Sequence, residues 1–90
     1  MPKIRRLVLD VLKPHHPNAL DFAATLADLG TDYKIKLTVI EVDEKTETIS
    51  LNIAGQSIHF EHISETIERL GASIHSIDEV EVDSEDSPPA

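Results

Sequence analysis

Between Lys3 and Lys13, apolar side chains recur at Leu7, Leu9 and Val11, while Arg6, Val8, Asp10 and Leu12 make a mixed opposite face. A two-residue period rich in Val, Ile and Leu predicts a central β-strand, and Pro14 ends it. The stiff Pro14-His15-His16-Pro17 segment follows, and the period then changes. Ala19, Phe22, Ala23, Leu26 and Leu29 stand at three- and four-residue steps, which predicts a helix over 18–29. Pro17 suits its first turn and Gly30 its end. Alternation returns over 34–42 with Ile35, Leu37 and Val39, and a shift at Ile40-Glu41-Val42 predicts a bulge. After a polar turn over 43–47, strict alternation resumes over 48–54 with Ile49, Leu51 and Ile53 inward, which completes a hairpin. Phe60, Ile63, Ile67 and Leu70 predict a second helix stopped by Gly71. Ile74, Ile77, Val80 and Val82, interspersed with acids, predict a last strand over 73–82.

The resulting order is βαββαβ. Short connections and right-handed crossovers then favour an α+β, ferredoxin-like sandwich, with sheet order 4-1-3-2 and both helices on one face. First and last strands lie antiparallel there, so Lys3, Arg5 and Arg6 face Glu79 and Glu81. Each such cross-strand pair contributes about 0.2–1 kcal/mol, and together they favour one register. On the face away from the helices, Val8, Leu12 and Ile4 are too apolar for a fully wet surface and point to a covering partner. The second and last strands are both edges. Charge can blunt an edge, or one subunit's edge can meet the next in a head-to-tail ring.

Composition narrows the chemistry. The chain has 90 residues, with 17 Asp+Glu against 8 Lys+Arg, for a formal charge of −9. One core fits that length, and two do not. Six acids lie between Asp78 and Asp86, and without them the net charge is −3. We therefore divide the chain into a single domain over 1–82 and an acidic Ser/Pro tail over 83–90, too polar to order itself. The acid excess excludes a binder of the phosphate backbone. Without Cys there is no thiolate metal site and no cysteine nucleophile. No apolar run reaches the length of a membrane span and no signal-peptide core precedes the first strand, which predicts a cytoplasmic protein.

Several enzyme templates also fail. No G-x-S-x-G elbow surrounds a serine, and the three glycines stand singly at turns, so neither a phosphate-cradling loop nor a dinucleotide fingerprint exists. An acylphosphatase would need a glycine-flanked loop after the first strand, where this chain has Lys-Pro-His-His-Pro. An RNA-recognition motif stacks bases on aromatic side chains of its open sheet face. Phe22, Tyr33 and Phe60, the only aromatics of that kind, fall on helix stripes and a loop edge.

Two stretches resemble an archaeal family, the domain of unknown function 211. They are Ile4-Arg5-Arg6-Leu7-Val8-Leu9-Asp10-Val11-Leu12-Lys13-Pro14-His15 and Ile74-His75-Ser76-Ile77-Asp78-Glu79-Val80, and the likeness runs over residues 2–82. The resemblance implies a ferredoxin-like fold and ring-shaped homo-oligomers in archaeal cytoplasm, and it implies no activity. His16 and the acidic tail depart from the family's pattern.

Asp10 stands mid-strand in an apolar run, where a charge is costly unless paired, exposed or bound to a cation. With Asp78 or Glu79 from the adjacent strand it offers oxygen ligands suited to Ca²⁺ or Mg²⁺. His15, in the loop after the first strand, completes a candidate divalent-cation set of Asp10, His15 and Asp78. His15, His16 and His75 form an alternative, imidazole-rich group for a transition metal, with solvent-exposed loop histidines as the plain reading. Two functions follow. One is a non-enzymatic homo-oligomer, a binding, scaffold or ACT-like regulatory module that holds a small ligand between subunits. The other is a metal-dependent enzyme or metal-binding protein using Asp10, His15 and Asp78.

Overall fold

The computed structural model of the chain describes residues 2–84, and the acidic tail beyond them lies outside the described residues. Its elements are β1 (Pro2–Pro14), α1 (Ala19–Ala27), β2 (Lys34–Val42), β3 (Thr46–Ala54), α2 (Phe60–Arg69) and β4 (Ser73–Ser84). The four strands form one antiparallel sheet in the order β2-β3-β1-β4, which is the expected ferredoxin-like order viewed from its other edge. The helices cover one face. Leu7, Leu9 and Val11 of β1 and Ile49, Leu51 and Ile53 of β3 meet Phe22, Leu26, Ile63 and Ile67 there, all buried. Full burial of such a side chain is worth about 1.5–3 kcal/mol, so this inner face is the chief source of stability.

Several boundaries move for local reasons. Helix α1 begins after Asn18, whose side chain accepts a hydrogen bond from the Asp21 N–H at 2.8 Å. Asn18 is thus the N-cap, and Pro17 stands outside the helix rather than in its first turn. Gly71 adopts φ +86° and closes α2, donating its N–H to the Glu68 carbonyl at 2.9 Å. Gly30 does something else. A Cβ there would fall 2.5 Å from the Tyr33 ring, so its smallness seats Tyr33, whose hydroxyl accepts from the His59 N–H at 2.9 Å. Strand β3 starts two residues earlier than its alternation predicts, at Thr46. Strand β4 runs past the expected boundary at Val82 to Ser84, because Asp83 and Ser84 pair with Lys3 and Pro2.

Bulges set the faces of the edge strands. The β2–β3 register steps from Val39 to Glu41, leaving Ile40 as the extra residue where the sequence predicts a bulge. Along β4 the pairing passes from Glu79 to Ile77 and from Ser76 to Ile74, so Asp78 and His75 are unpaired in the β1 ladder. Those two insertions let apolar residues spaced by three, Ile74, Ile77 and Val80, stand opposite Val11, Leu9 and Leu7, which are spaced by two. A third irregularity at Arg5 turns Ile4 to the helix side, where it packs on the core. This corrects its expected place on the open face; Val8, half-buried, and Leu12, exposed, remain there.

Candidate functional site

Around the start of β1 the expected charge pairing is present in part: Arg6 meets Glu79, whereas Arg5 meets Asp83, a residue expected in the tail. Arg5 donates from Nε to Asp83 Oδ1 at 2.9 Å and from its terminal nitrogen to the carbonyl of Gln56. Arg6 Nε stands 3.7 Å from Glu79. The side chains as wholes are partly or largely exposed, so their attraction is screened by water, although the Arg6 Nε atom itself is buried without a hydrogen-bond partner.

At the other end of β1 the alternation that buries Leu7, Leu9 and Val11 carries Lys13 onto the same inner face, and Lys13 is completely buried. Its register partner is Glu47 on β3. The ammonium donates to the carbonyls of Pro14 at 2.7 Å and Pro17 at 2.6 Å, and lies 3.1 Å from Glu47 Oε1. Two carbonyls and one carboxylate thus surround the ammonium, and the Phe22 ring lies beneath, with its centroid 5.9 Å from Nζ. The second oxygen of Glu47 lies 3.0 Å from His15 Nδ1, while His15 Nε2 lies 2.9 Å from the Glu44 carbonyl oxygen. His15 thus spans from the β1–α1 loop to the β2–β3 turn. The hydrogen bond with Glu47, and next the one with the Glu44 carbonyl, raises the His15 pKa above its ordinary 6.5. The bonds from His15 and Lys13 lower the Glu47 pKa from its ordinary 4.5. This group can bind and hold a proton. Lys13, sealed from solvent with its donors committed, is no nucleophile.

Of the three residues expected to bind a cation, the structure brings two to one neighbourhood. Asp10 lies half-buried on the open face between Ser50 and Ser76, its register partners on either side. Asp78, at its bulge, accepts from the Ser76 hydroxyl at 2.7 Å. His15 is not with them, as both its ring nitrogens face the hairpin. Among the described residues no group of three or more His, Asp or Glu side chains is placed to hold a metal ion. His75, at its own bulge, instead lines a shallow cleft of about 380 Å³ with Asp10, Leu12, Thr48 and Ser73. His16 is exposed. The sequence reading missed Lys13 and Glu47, although both lie in phase with the inner apolar residues of their strands.

The edge strands show a further arrangement. On β4, Ile77, Val80 and Val82 are 49–55% exposed on the helix side, and on β2, Val39, Ile40 and Val42 are 43–63% exposed. Across the four strands, register places Ile35 in one row with Ile53, Leu7 and Val80, and Leu37 in the next inner row with Leu51, Leu9 and Ile77. On the open face, Lys34 shares a row with Ala54, Arg6 and Glu81, and Lys36 with Asn52, Val8 and Glu79. The inner rows are therefore apolar at both edges, and the open-face rows carry lysine at one edge and glutamate at the other. No described helix is long and apolar enough to cross a membrane.

Comparison with known proteins agrees with the resemblance in the two strand stretches. The chain is 48% identical over 80 residues to Uncharacterized protein MJ0319 of Methanocaldococcus jannaschii, an alignment covering 89% of this chain and 82% of that relative. A family model, DUF211, described as Uncharacterized ArCR, matches residues 5–85. With nearly all of both signature stretches and all six elements, apart from the first three residues of β1, inside that match, the chain belongs to the DUF211 family.

Proposed function

We propose that this protein is a self-assembling scaffold or binding module rather than an enzyme, its copies joining β2 of one to β4 of the next. The observation that carries the reading is the row pattern. Strands β2 and β4 run in opposite directions, so copies set side by side at equal height pair antiparallel, as the other strands of the sheet do. At equal height Lys34 meets Glu81, Lys36 meets Glu79, Ile35 meets Val80 and Leu37 meets Ile77. The apolar rows then continue from copy to copy, covering side chains that one chain leaves wet. Such a contact is heterologous, and it closes into a ring when each step rotates by a fixed angle. Antiparallel charge pairs direct the register and oppose the mirrored arrangements, in which lysine would meet lysine.

Light scattering tests this directly. At micromolar concentration the protein is expected to show a mass several times that of the 10.0 kDa chain. Lys34→Glu shifts the mass towards the single chain, and Lys34→Glu combined with Glu81→Lys restores the assembly. Single-chain mass for the unaltered protein, or no rescue by the double exchange, overturns the reading.

A further inference from the structure

We propose that a proton on His15 fastens the β2–β3 turn to the β1–α1 loop, making the Lys13–Glu47–His15 group a proton-operated clasp. His15 Nδ1 stands 3.0 Å from a carboxylate oxygen of Glu47, and Nε2 stands 2.9 Å from the carbonyl oxygen of Glu44. A peptide carbonyl has no proton to give, and neither has the ionised carboxylate. Both bonds therefore need a donor on the ring side, and only the imidazolium carries two N–H groups. A neutral ring donates once, and its other nitrogen turns a lone pair towards an oxygen lone pair. The bond to the carboxylate is charge-assisted and the stronger of the two, so loss of the proton releases the Glu44 carbonyl first.

The surroundings agree. Lys13 of β1 lies 3.1 Å from the other oxygen of Glu47 and, second to His15, favours the ionised carboxylate. From the turn, the carbonyls of Glu44 and Asp43 add to the effect of Glu47 in holding the proton, while partial burial of the ring opposes them. The side chains of Asp43, Glu44 and Lys45 in the turn and of His16 beside the ring are exposed. Helix α1 contributes only the apolar face of Phe22, beneath Lys13. Across the turn itself the Asp43 N–H donates to the Thr46 carbonyl at 2.8 Å. The clasp lies within one chain, so it stands or falls separately from the edge-to-edge assembly.

The test is a carbon-13 and nitrogen-15 NMR titration of the full chain, following the His15 ring and the Glu44 carbonyl carbon together. The expected result is a His15 midpoint above that of an ordinary histidine, both ring nitrogens protonated below it, and a Glu44 carbonyl shift moving with the same midpoint. Glu47→Gln lowers the midpoint and carries the carbonyl transition with it. Because that change also disturbs Lys13, His15→Gln serves as the second variant, and its Glu44 carbonyl is expected to be flat through the same pH range. A carbonyl that ignores pH in the unaltered protein, or one that still titrates in His15→Gln, overturns the proposal.

Discussion

Strand β1 carries a paired cation near each end, and the two pairs use the same chemistry in opposite solvents. Arg5 meets Asp83 and Gln56 in contact with water, whereas Lys13 meets Glu47 under Phe22 with no exposure of its own. Coulomb attraction between charges at similar distances is several times weaker in water than at a protein's surface, and weaker again than in its interior. Yet the interior pair must first be stripped of water, which offsets most of what it gains. The difference thus lies less in what each pair adds than in what its loss leaves behind. Removing Arg5 leaves Asp83 hydrated. Removing Lys13 leaves two proline carbonyls and a carboxylate oxygen, all partly buried, without their donor.

The comparison breaks most sharply at Lys13. Lys13→Met fills similar volume but strands those acceptors, and we expect a loss of about 3 kcal/mol of folding stability. Thermal melting would show it as a fall of more than about 10 °C for a domain of this size. A fall of only a degree or two would place Lys13 with ordinary surface pairs.

A second effect is smaller and depends on pH. The His15 pKa is raised in the folded chain, so its contribution is fully present below 6.5 and is lost as pH rises through the folded value. The Glu47 pKa is lowered, so its contribution is fully present above 4.5 and is lost as pH falls through the folded value. The group is therefore strongest between those two ordinary values. Denaturant melts at closely spaced pH should show stability declining on the alkaline side, and His15→Gln should remove that decline and weaken the acid-side loss, which Lys13 then sustains alone.

The smallest effect belongs to the wet pair. Arg5→Met should cost less than about 1 kcal/mol, and the difference should shrink further in high salt. A salt-independent loss of several kcal/mol would erase the contrast between the two ends of β1.

Most of the fold was legible because it follows from period. The alternation in β1 and β3, the helical stripes at Phe22–Leu26 and Ile63–Ile67, and the interrupted pattern at Ile40 all report which side faces the core, and the sheet has that order and that bulge. The β4 pattern was harder to read. Its apolar residues stand three apart, which belongs to neither a regular strand nor a helix of that length, and only the partner strand reveals two extra residues. The polar site stayed hidden for a different reason. A lysine beside a proline and a glutamate beside a turn look like surface residues by type, and their depth depends on the fact that Lys13 and Glu47 face each other across two strands. Asp10 drew attention because a carboxylate stood among apolar neighbours. The open face supplies Ser50 and Ser76 beside it, so half-burial there demands no ion.

The bulges at Asp78 and His75 have an evolutionary consequence. Every other residue of β4 between Ser73 and Ser84 is bound to one side of the sheet by its partner on β1, so adding or losing one would turn all that follows inside out. Asp78 and His75 lie outside that obligation. Either can be deleted and the residues around it still meet the same partners, with the ladder made regular. At these two points the strand can change length without changing its faces, and natural variation in the length of β4 has room there that the rest of the strand denies it.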